Sequence, residues 1–166
     1  MLCISRPMGK CSRITFLAGG RAMRRTLIGL HTFVGIGALA GGAAALLNPY
    51  EPLGVPVDAL EFSPFDNYLI PGIILFTVIG LGSISSALLL YSGSRFRGCV
   101  SATFSWALVI WIVVQCLMLR TIHFLHITFL AIGVTEVILS TATMLRHELF
   151  PLNVIMRIFR EKHLYR

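Results

Sequence analysis

The sequence predicts an all-α membrane protein, a bundle of four transmembrane helices, from its composition and from the length of its apolar blocks. Of the 166 residues, 56% are hydrophobic and 13% are charged, about half the charged fraction of a soluble domain. The apolar residues form four blocks of about 20 residues or more, the length that a helix needs to cross a bilayer core of about 30 Å. The blocks do not alternate as the short strands of a membrane β-barrel do.

The predicted spans make up one membrane domain, residues 23–145. They cover residues 26–47, 68–91, 99–119 and 121–145. Only Arg120 and Thr121 separate the third block from the fourth. A single helix from Cys99 to Leu145 would be about 70 Å long, more than twice the hydrocarbon thickness. The sequence therefore predicts a tight hairpin at Arg120.

The distribution of basic residues predicts the orientation. With four spans, both termini and the loop holding Arg95 and Arg97 lie on one side, and that side carries thirteen of the fourteen Lys and Arg residues. Positive charge favours the cytosolic side of membrane proteins. We therefore expect a multi-pass protein of the bacterial inner (plasma) membrane with both termini in the cytosol. The net charge of +7 is then a membrane-flanking charge, and no nucleic-acid partner is expected.

The segment 48–72 is the one sizeable feature predicted outside the bilayer. It holds five of the seven prolines and four of the seven acidic residues, so it forms a Pro-rich outer loop where an external partner would be met. Ser63 followed by Pro64 predicts a helix N-cap with proline at the first helical position. Pro71 would then kink that helix near Asn67.

The two ends of the chain lie outside the predicted domain. Residues 1–22 are expected to be an unordered tail or a mis-assigned start, because Met23 is followed by two arginines and at once by the first span. Residues 146–166 predict a basic amphipathic helix beginning at Pro151, which would lie on the anionic membrane surface. A partner-binding helix is the alternative for this tail.

Small residues predict a packing face on the first span. Gly37, Gly41 and Ala45 recur at every fourth position, which places them on one side of a helix where another helix can approach closely. We expect this face to contact a second copy of the chain or a larger membrane partner, in addition to the lipid bilayer.

Ionisable and amide side chains inside the spans are the candidate functional residues, since such groups are costly in a bilayer. They are His31, Gln115, His126 and Glu136, with His123 near the helix end. His31 and Glu136 lie about 7 and 13 Å from the cytosolic ends of their spans, so they would meet if the first and fourth helices are neighbours. Gln115 and His126 would form a second polar layer near the outer face. Alternatively, Glu136 stays neutral and hydrogen-bonds a neighbouring helix as a structural tie.

No catalytic, cofactor or metal motif is visible. There is no nucleophile elbow, no zinc-protease helix motif and no phosphate-binding glycine loop. The four cysteines, Cys3, Cys11, Cys99 and Cys116, form no C-x-x-C pair, so neither a metal site nor a disulfide framework is expected. No enzyme activity can therefore be inferred from the sequence.

The chain resembles a widespread group of uncharacterised small bacterial four-span membrane proteins. The resemblance covers residues 23–145 and is carried by three patterns, Pro-Leu-Gly-x-Pro, Ser-Pro-Phe and Leu-Ile-Pro-Gly, which match Pro52, Leu53, Gly54 and Pro56, then Ser63, Pro64 and Phe65, then Leu69, Ile70, Pro71 and Gly72. It implies a four-helix membrane fold and a start at Met23, and it transfers no catalytic or binding residue.

Three functional hypotheses follow. The first is a small accessory or interaction protein that packs through Gly37, Gly41 and Ala45. The second is a small dimeric transporter or proton-linked carrier built around Glu136, a dimer because four helices enclose little space. The third and weakest is a membrane enzyme or quinone-associated subunit.

Overall fold

Four long helices dominate the computed structural model, which describes residues 10–61, 63–94, 96–121 and 123–147. They are α1 (Lys10–Leu47), α2 (Leu69–Ser92), α3 (Arg97–Leu119) and α4 (Phe124–His147). Each contains a stretch long and apolar enough to cross a membrane, and no strand occurs among the described residues. The prediction of an all-α chain with four membrane-spanning helices is therefore confirmed.

Helix α1 extends further towards the N-terminus than the predicted span. It begins at Lys10, so the described part of the N-terminal segment continues the first helix, and the stretch fit to cross a membrane begins at Gly20. The amphipathic helix predicted from Pro151 lies outside the described residues.

The helices pack as a ring in which each touches the next along the chain and α4 returns to α1. The short connections make successive helices antiparallel. The buried apolar core consists of Val34, Ala38, Ile79, Leu108, Trp111 and Ile112. Large apolar side chains such as Leu88, Ile110 and Ile138 point away from the bundle, as they would towards lipid.

Glycine and alanine allow α1 and α2 to approach closely. A Cβ added at Gly42 would lie 2.7 Å from Cβ of Phe76, and one added at Gly72 would lie 2.6 Å from Cβ of Ala45. In a membrane, where lipid is as apolar as leucine, such close contact is a main source of helix association. The two small residues therefore set the separation of α1 and α2.

Helix α2 contains a π-helical segment, Leu75–Leu81, between two α-helical parts. Four α2 residues at intervals of four, Gly72, Phe76, Gly80 and Ile84, all meet α1. In an α-helix with about 3.6 residues per turn, residues spaced by four drift around the axis. The wider i→i+5 turn of a π segment reduces that drift, which keeps all four contacts on the side that faces α1.

The start of α2 differs from the prediction. The helix begins at Leu69, and its first free N–H is bonded to Oδ1 of Asn67 at 3.0 Å. Ser63 instead closes a local turn by accepting a hydrogen bond from the Phe65 N–H. Pro71 thus lies in the first helical turn, where its missing N–H has no intrahelical partner. The predicted helix start at Pro64 and the kink near Asn67 are both wrong.

The Pro-rich segment folds over one end of the bundle. Two short 3-10 turns, Pro52–Gly54 and Val57–Leu60, contact α1 and α3 respectively, and Leu60 is buried. The Tyr68 hydroxyl donates to the carbonyl oxygen of Pro56 at 3.2 Å. Partial burial raises the pKa of Tyr68 above its usual value, so this hydroxyl remains a donor at neutral pH.

A tight connection joins α3 and α4, as the spacing predicts. Helix α3 ends at Leu119, and Arg120 adopts the left-handed conformation with φ 46°. That conformation turns the chain sharply after a helix end, although for a side chain other than glycine it is unfavourable. Gly133 of α4 then packs against Leu108 and Val109 of α3.

Candidate functional site

A buried ionisable pair lies where α1, α3 and α4 meet. His31 Nδ1 is 3.4 Å from Glu136 Oε1, and both side chains are fully buried. The sequence predicted that these residues would meet if the first and fourth helices were neighbours, and the ring arrangement makes them neighbours. The structure thus brings together the two residues that sequence reasoning placed at similar depths.

The other ring nitrogen of His31 contacts α3. Nε2 lies 2.8 Å from Oγ of Ser101, a side chain with no exposed surface. A neutral imidazole donates from one nitrogen and accepts at the other. If Nε2 donates to Ser101, Nδ1 is an acceptor and faces a protonated Glu136. If Ser101 donates, Nδ1–H faces the carboxyl oxygen. Each arrangement therefore places one proton between His31 and Glu136.

The carboxyl group of Glu136 is the least satisfied polar group of the site. Neither of its oxygens makes a well-formed hydrogen bond with the described residues, and His31 Nδ1 is likewise without one. Ser105 of α3 lies beside the carboxyl group, but its hydroxyl donates to the carbonyl oxygen of Ser101 at 2.8 Å. Glu136 therefore keeps acceptor or donor capacity in a place where an unpaired polar group is costly.

This arrangement suits proton binding and transfer. An imidazole is the side chain whose unperturbed protonation equilibrium lies closest to neutral pH, and it passes a proton between its two nitrogens. A carboxyl group on one side and a hydroxyl on the other extend that path across three helices. Proton relays in membrane proteins are built from such Asp, Glu and His side chains.

Gln115 and His126 were predicted to form a second polar layer. Their side chains, both described by the structure, make no hydrogen bond with each other. His126 instead accepts a hydrogen bond at Nδ1 from the backbone N–H of His123, at 3.2 Å. The two imidazole rings are tilted with centroids 6.0 Å apart. These histidines shape the start of α4, and His123 is exposed.

The small-residue face predicted on α1 is divided between the inside and the outside of the bundle. Ala45 is buried against Gly72, while Gly37 is exposed and Gly41 is half-buried. Gly35 and Gly42, which are not part of the predicted face, approach α2 as closely as Ala45 does. Of the predicted face, Gly37 and Gly41 remain available to a partner outside the chain.

The described part of the chain contains neither a metal-binding cluster nor a pair of neighbouring cysteines. No group of three or more His, Cys, Asp or Glu side chains is placed to hold a metal ion there. Cys99 and Cys116 are free thiols seventeen residues apart on α3, which is about 25 Å along a helix.

The two serines of the site, Ser101 and Ser105, were not identified from the sequence. Serine is common in membrane helices and bonds back to its own helix, so neither residue stands out alone. The signal that could have found them is their spacing of four within an otherwise apolar block, which gives α3 one narrow polar stripe.

Four membrane-spanning helices around a buried ionisable pair define the chain as a multi-pass integral membrane protein. Comparison with protein-family models, curated proteins and solved structures finds no match to it. The resemblance carried by the Pro-Leu-Gly-x-Pro pattern therefore remains a prediction.

Proposed function

We propose that the protein is a small proton-linked membrane carrier in which Glu136 takes up and releases a proton. The observation that supports this most directly is the state of the Glu136 carboxyl group, which is fully buried, makes no well-formed hydrogen bond with the described residues and has His31 Nδ1 at 3.4 Å. A buried group that can accept or lose a proton beside an imidazole has the chemistry of a proton site.

The alternative, in which Glu136 is only a structural tie, fits these contacts less well. A buried polar group that stabilises a fold has its hydrogen bonds made. Other hydroxyl groups of the bundle satisfy that rule, as Ser86 does with the Gly82 carbonyl and Thr143 with the Leu139 carbonyl. Glu136 does not, although it would be the most costly of these groups to leave unpaired.

The size of the site favours a proton over a larger cation as the bound species. Helices α1, α3 and α4 converge on the pair so closely that neither side chain has any exposed surface. A proton needs no additional space. Four helices also enclose little room for a solute path, so we propose that two copies of the chain form the working carrier.

The test replaces Glu136 with Gln in protein reconstituted into liposomes. We expect the carboxylic-acid infrared band that titrates with pH to be lost in Glu136→Gln, and proton flux driven by a pH gradient to fall to the level of empty liposomes. Gln keeps the size and polarity of the side chain but cannot exchange a proton.

The matched control is Glu61→Gln, the same chemical change at an exposed position of the loop. It should leave the band and the flux unchanged. Flux in Glu136→Gln equal to that of the unaltered protein would exclude the carrier function, and a titrating band that survives this substitution would place the proton site elsewhere.

We further propose that the carrier lies in a bacterial inner membrane with both termini in the cytosol. The support is the charge distribution, since Arg24, Arg25 and Arg97 belong to the end of the bundle opposite the acidic Pro-rich loop. The enrichment of basic residues on the cytosolic side of membrane proteins favours the inside for that end.

A second candidate function, an accessory protein that binds a second copy or a larger membrane partner, is favoured by one observation. Gly37 is exposed on α1, and a glycine at a lipid-facing position leaves a shallow groove into which another helix can fit. In that case association depends on Gly37, and not on Ala45, which already packs inside the chain.

A further inference from the structure

The buried polar side chains all occupy one half of the bundle. Among the described residues they are His31, Ser83, Ser86, Ser101, Ser105, Glu136, Ser140 and Thr143. Each lies between the middle of its helix and the end that carries Arg24 on α1, Ser92 on α2, Arg97 on α3 and Leu145 on α4. We call this end the Arg24 end.

The opposite half is closed by apolar side chains. Ala38, Ile79, Trp111 and Ile112 belong to one buried cluster and lie beyond the helix midpoints, on the side of the Pro-rich loop. The buried unpaired polar atom there is the indole Nε1 of Trp111, which is a donor only and cannot accept a proton. Among the described residues, the fully buried side chains of this half therefore include no group that can accept a proton.

Three side chains of the polar half lie at increasing distances from the Arg24 end. Ser101 lies four residues from Arg97, His31 seven from Arg24 and Glu136 nine from Leu145, which corresponds to depths of about 6, 10 and 13 Å at 1.5 Å per residue. The distances between their reactive atoms are 2.8 Å from Ser101 to His31 and 3.4 Å from His31 to Glu136. The deepest member is the carboxyl group with unpaired oxygens.

We infer that Ser101 and His31 are a proton relay that connects Glu136 to the Arg24 end alone, an inference that rests on the proposed function. On release, the Glu136 O–H bond breaks and an Nδ1–H bond forms on His31. At the same time the Nε2–H proton passes to Oγ of Ser101. The hydroxyl proton of Ser101 passes to a water molecule that must enter from the start of α3, because Ser101 has no exposed surface in the conformation described. His31 stays neutral and changes tautomer, and uptake is the reverse. The proton crosses to the other side only when the apolar cluster opens.

Among the described side chains that contact Glu136 from the neighbouring helices, His31 is the titratable one. Helices α1 and α3 pack against α4. In the described part of the chain, α1 presents His31 and α3 presents Ser105, whose hydroxyl has no charge to contribute. Ser105 donates to the Ser101 carbonyl and lies beside the Glu136 carboxyl group, where it can contact the carboxyl group but adds no titratable site. Ser101 is a positioning and relay residue, and Glu136 is the proton site.

The test measures how fast the Glu136 carboxylic-acid band responds to a pH jump in the reconstituted full chain. We expect Ser101→Ala to slow the response by at least about tenfold, with the pH midpoint of the band little changed. Ser101→Thr keeps the hydroxyl and should restore most of the rate. A purely structural role for Ser101 would move the midpoint or the stability, and not the rate alone.

Ser140→Ala is the matched control. Ser140 is as buried as Ser101 and belongs to the same polar half, but its hydroxyl donates to the Val137 carbonyl, off the relay. It should respond at the rate of the unaltered protein. Equal rates in Ser101→Ala and the unaltered protein would overturn the relay while leaving Glu136 as the proton site. Absence of a band that depends on Glu136 would overturn the proposed function, and the relay with it.

Discussion

Arg24 ties the start of the first span to the end of the second. Its Nε donates to the Leu90 carbonyl at 2.7 Å and its Nη2 to the Tyr91 carbonyl at 2.6 Å. The last carbonyl groups of a helix lack intrahelical donors, and a cation there also interacts favourably with the helix dipole. The sequence showed Arg24 only as a membrane-flanking charge, whereas the structure gives it a specific partner on α2.

Replacing Arg24 with Met should lower the stability of the bundle. The substitution keeps an extended apolar side chain and removes two charge-assisted hydrogen bonds, one of them exposed, so we expect a loss of about 1–2 kcal/mol. For a chain of this size that corresponds to a melting temperature lower by about 2–8 °C, measured by thermal unfolding in mild detergent.

Arg25→Met is the control for the loss of charge alone. Arg25 is exposed and makes no side-chain hydrogen bond in the described part of the chain, so its replacement should leave the melting temperature within about 1 °C, as for surface substitutions away from special features. Equal losses in the two variants would mean that the Arg24 hydrogen bonds contribute nothing to stability.

At the scale of elements, the contact of α1 with α2 depends on where glycine is placed. Gly42 faces the backbone as well as the side chain of Phe76, with a Cβ at this position lying 2.8 Å from Phe76 Cα. Backbone atoms in a packed helix pair cannot move aside as the end of a flexible side chain can. Gly37, on the outer side of α1, has only the ring of Phe129 nearby, at 3.4 Å.

Leucine at these two glycines should have opposite consequences. Gly42→Leu overpacks the α1–α2 contact and should destabilise the bundle by about 1–3 kcal/mol or more, seen as a lower melting temperature. Gly37→Leu adds a side chain towards lipid and should leave the melting temperature within about 2 °C.

The same pair of variants separates packing inside the chain from association between chains. Cross-linking in lipid nanodiscs reports association. Loss of oligomers in the stable Gly37→Leu variant would show that Gly37 lies in an interface between copies of the chain. Full retention would remove Gly37 from the interface, and an unchanged melting temperature in Gly42→Leu would show that this contact is looser than the structure indicates.

At the scale of the whole molecule, the bundle is asymmetric along its axis. One end carries Arg24, Arg25 and Arg97 and all the buried polar side chains of the described residues, and the other carries the apolar cluster and the Pro-rich loop. In the proposed carrier, a proton site placed in this way exchanges with the Arg24 end through the relay. Which compartment that end faces depends on the orientation of the chain.

Cysteine labelling tests that orientation. In a background without the four native cysteines, Asp58→Cys in the loop should react with a membrane-impermeant thiol reagent added to intact cells. Ser94→Cys, between α2 and α3, should react only after the membrane is permeabilised. The reverse pattern would place the Arg24 end outside and would reverse the side from which Glu136 exchanges its proton.

Sequence by itself determined the number, approximate bounds and apolar character of the four spans, because the bilayer imposes a length and a composition on each helix independently of its neighbours. It also selected His31 and Glu136, since ionisable groups are rare in such segments. The start of a helix was harder to predict from local sequence than the spans were. Ser63 and Pro64 look like a helix start, yet Asn67 provides the first bond of α2.

Only the tertiary structure decided which helices are neighbours, and hence that His31 and Glu136 lie in contact and that Ser101 completes the chain of polar atoms. It also decided that Gly35, Gly42 and Ala45, and not Gly37, face α2 at close range. The physical reason is that periodicity places residues on a common helix face, whereas the direction in which that face points depends on packing between helices and, for α2, on the π segment that shifts its register.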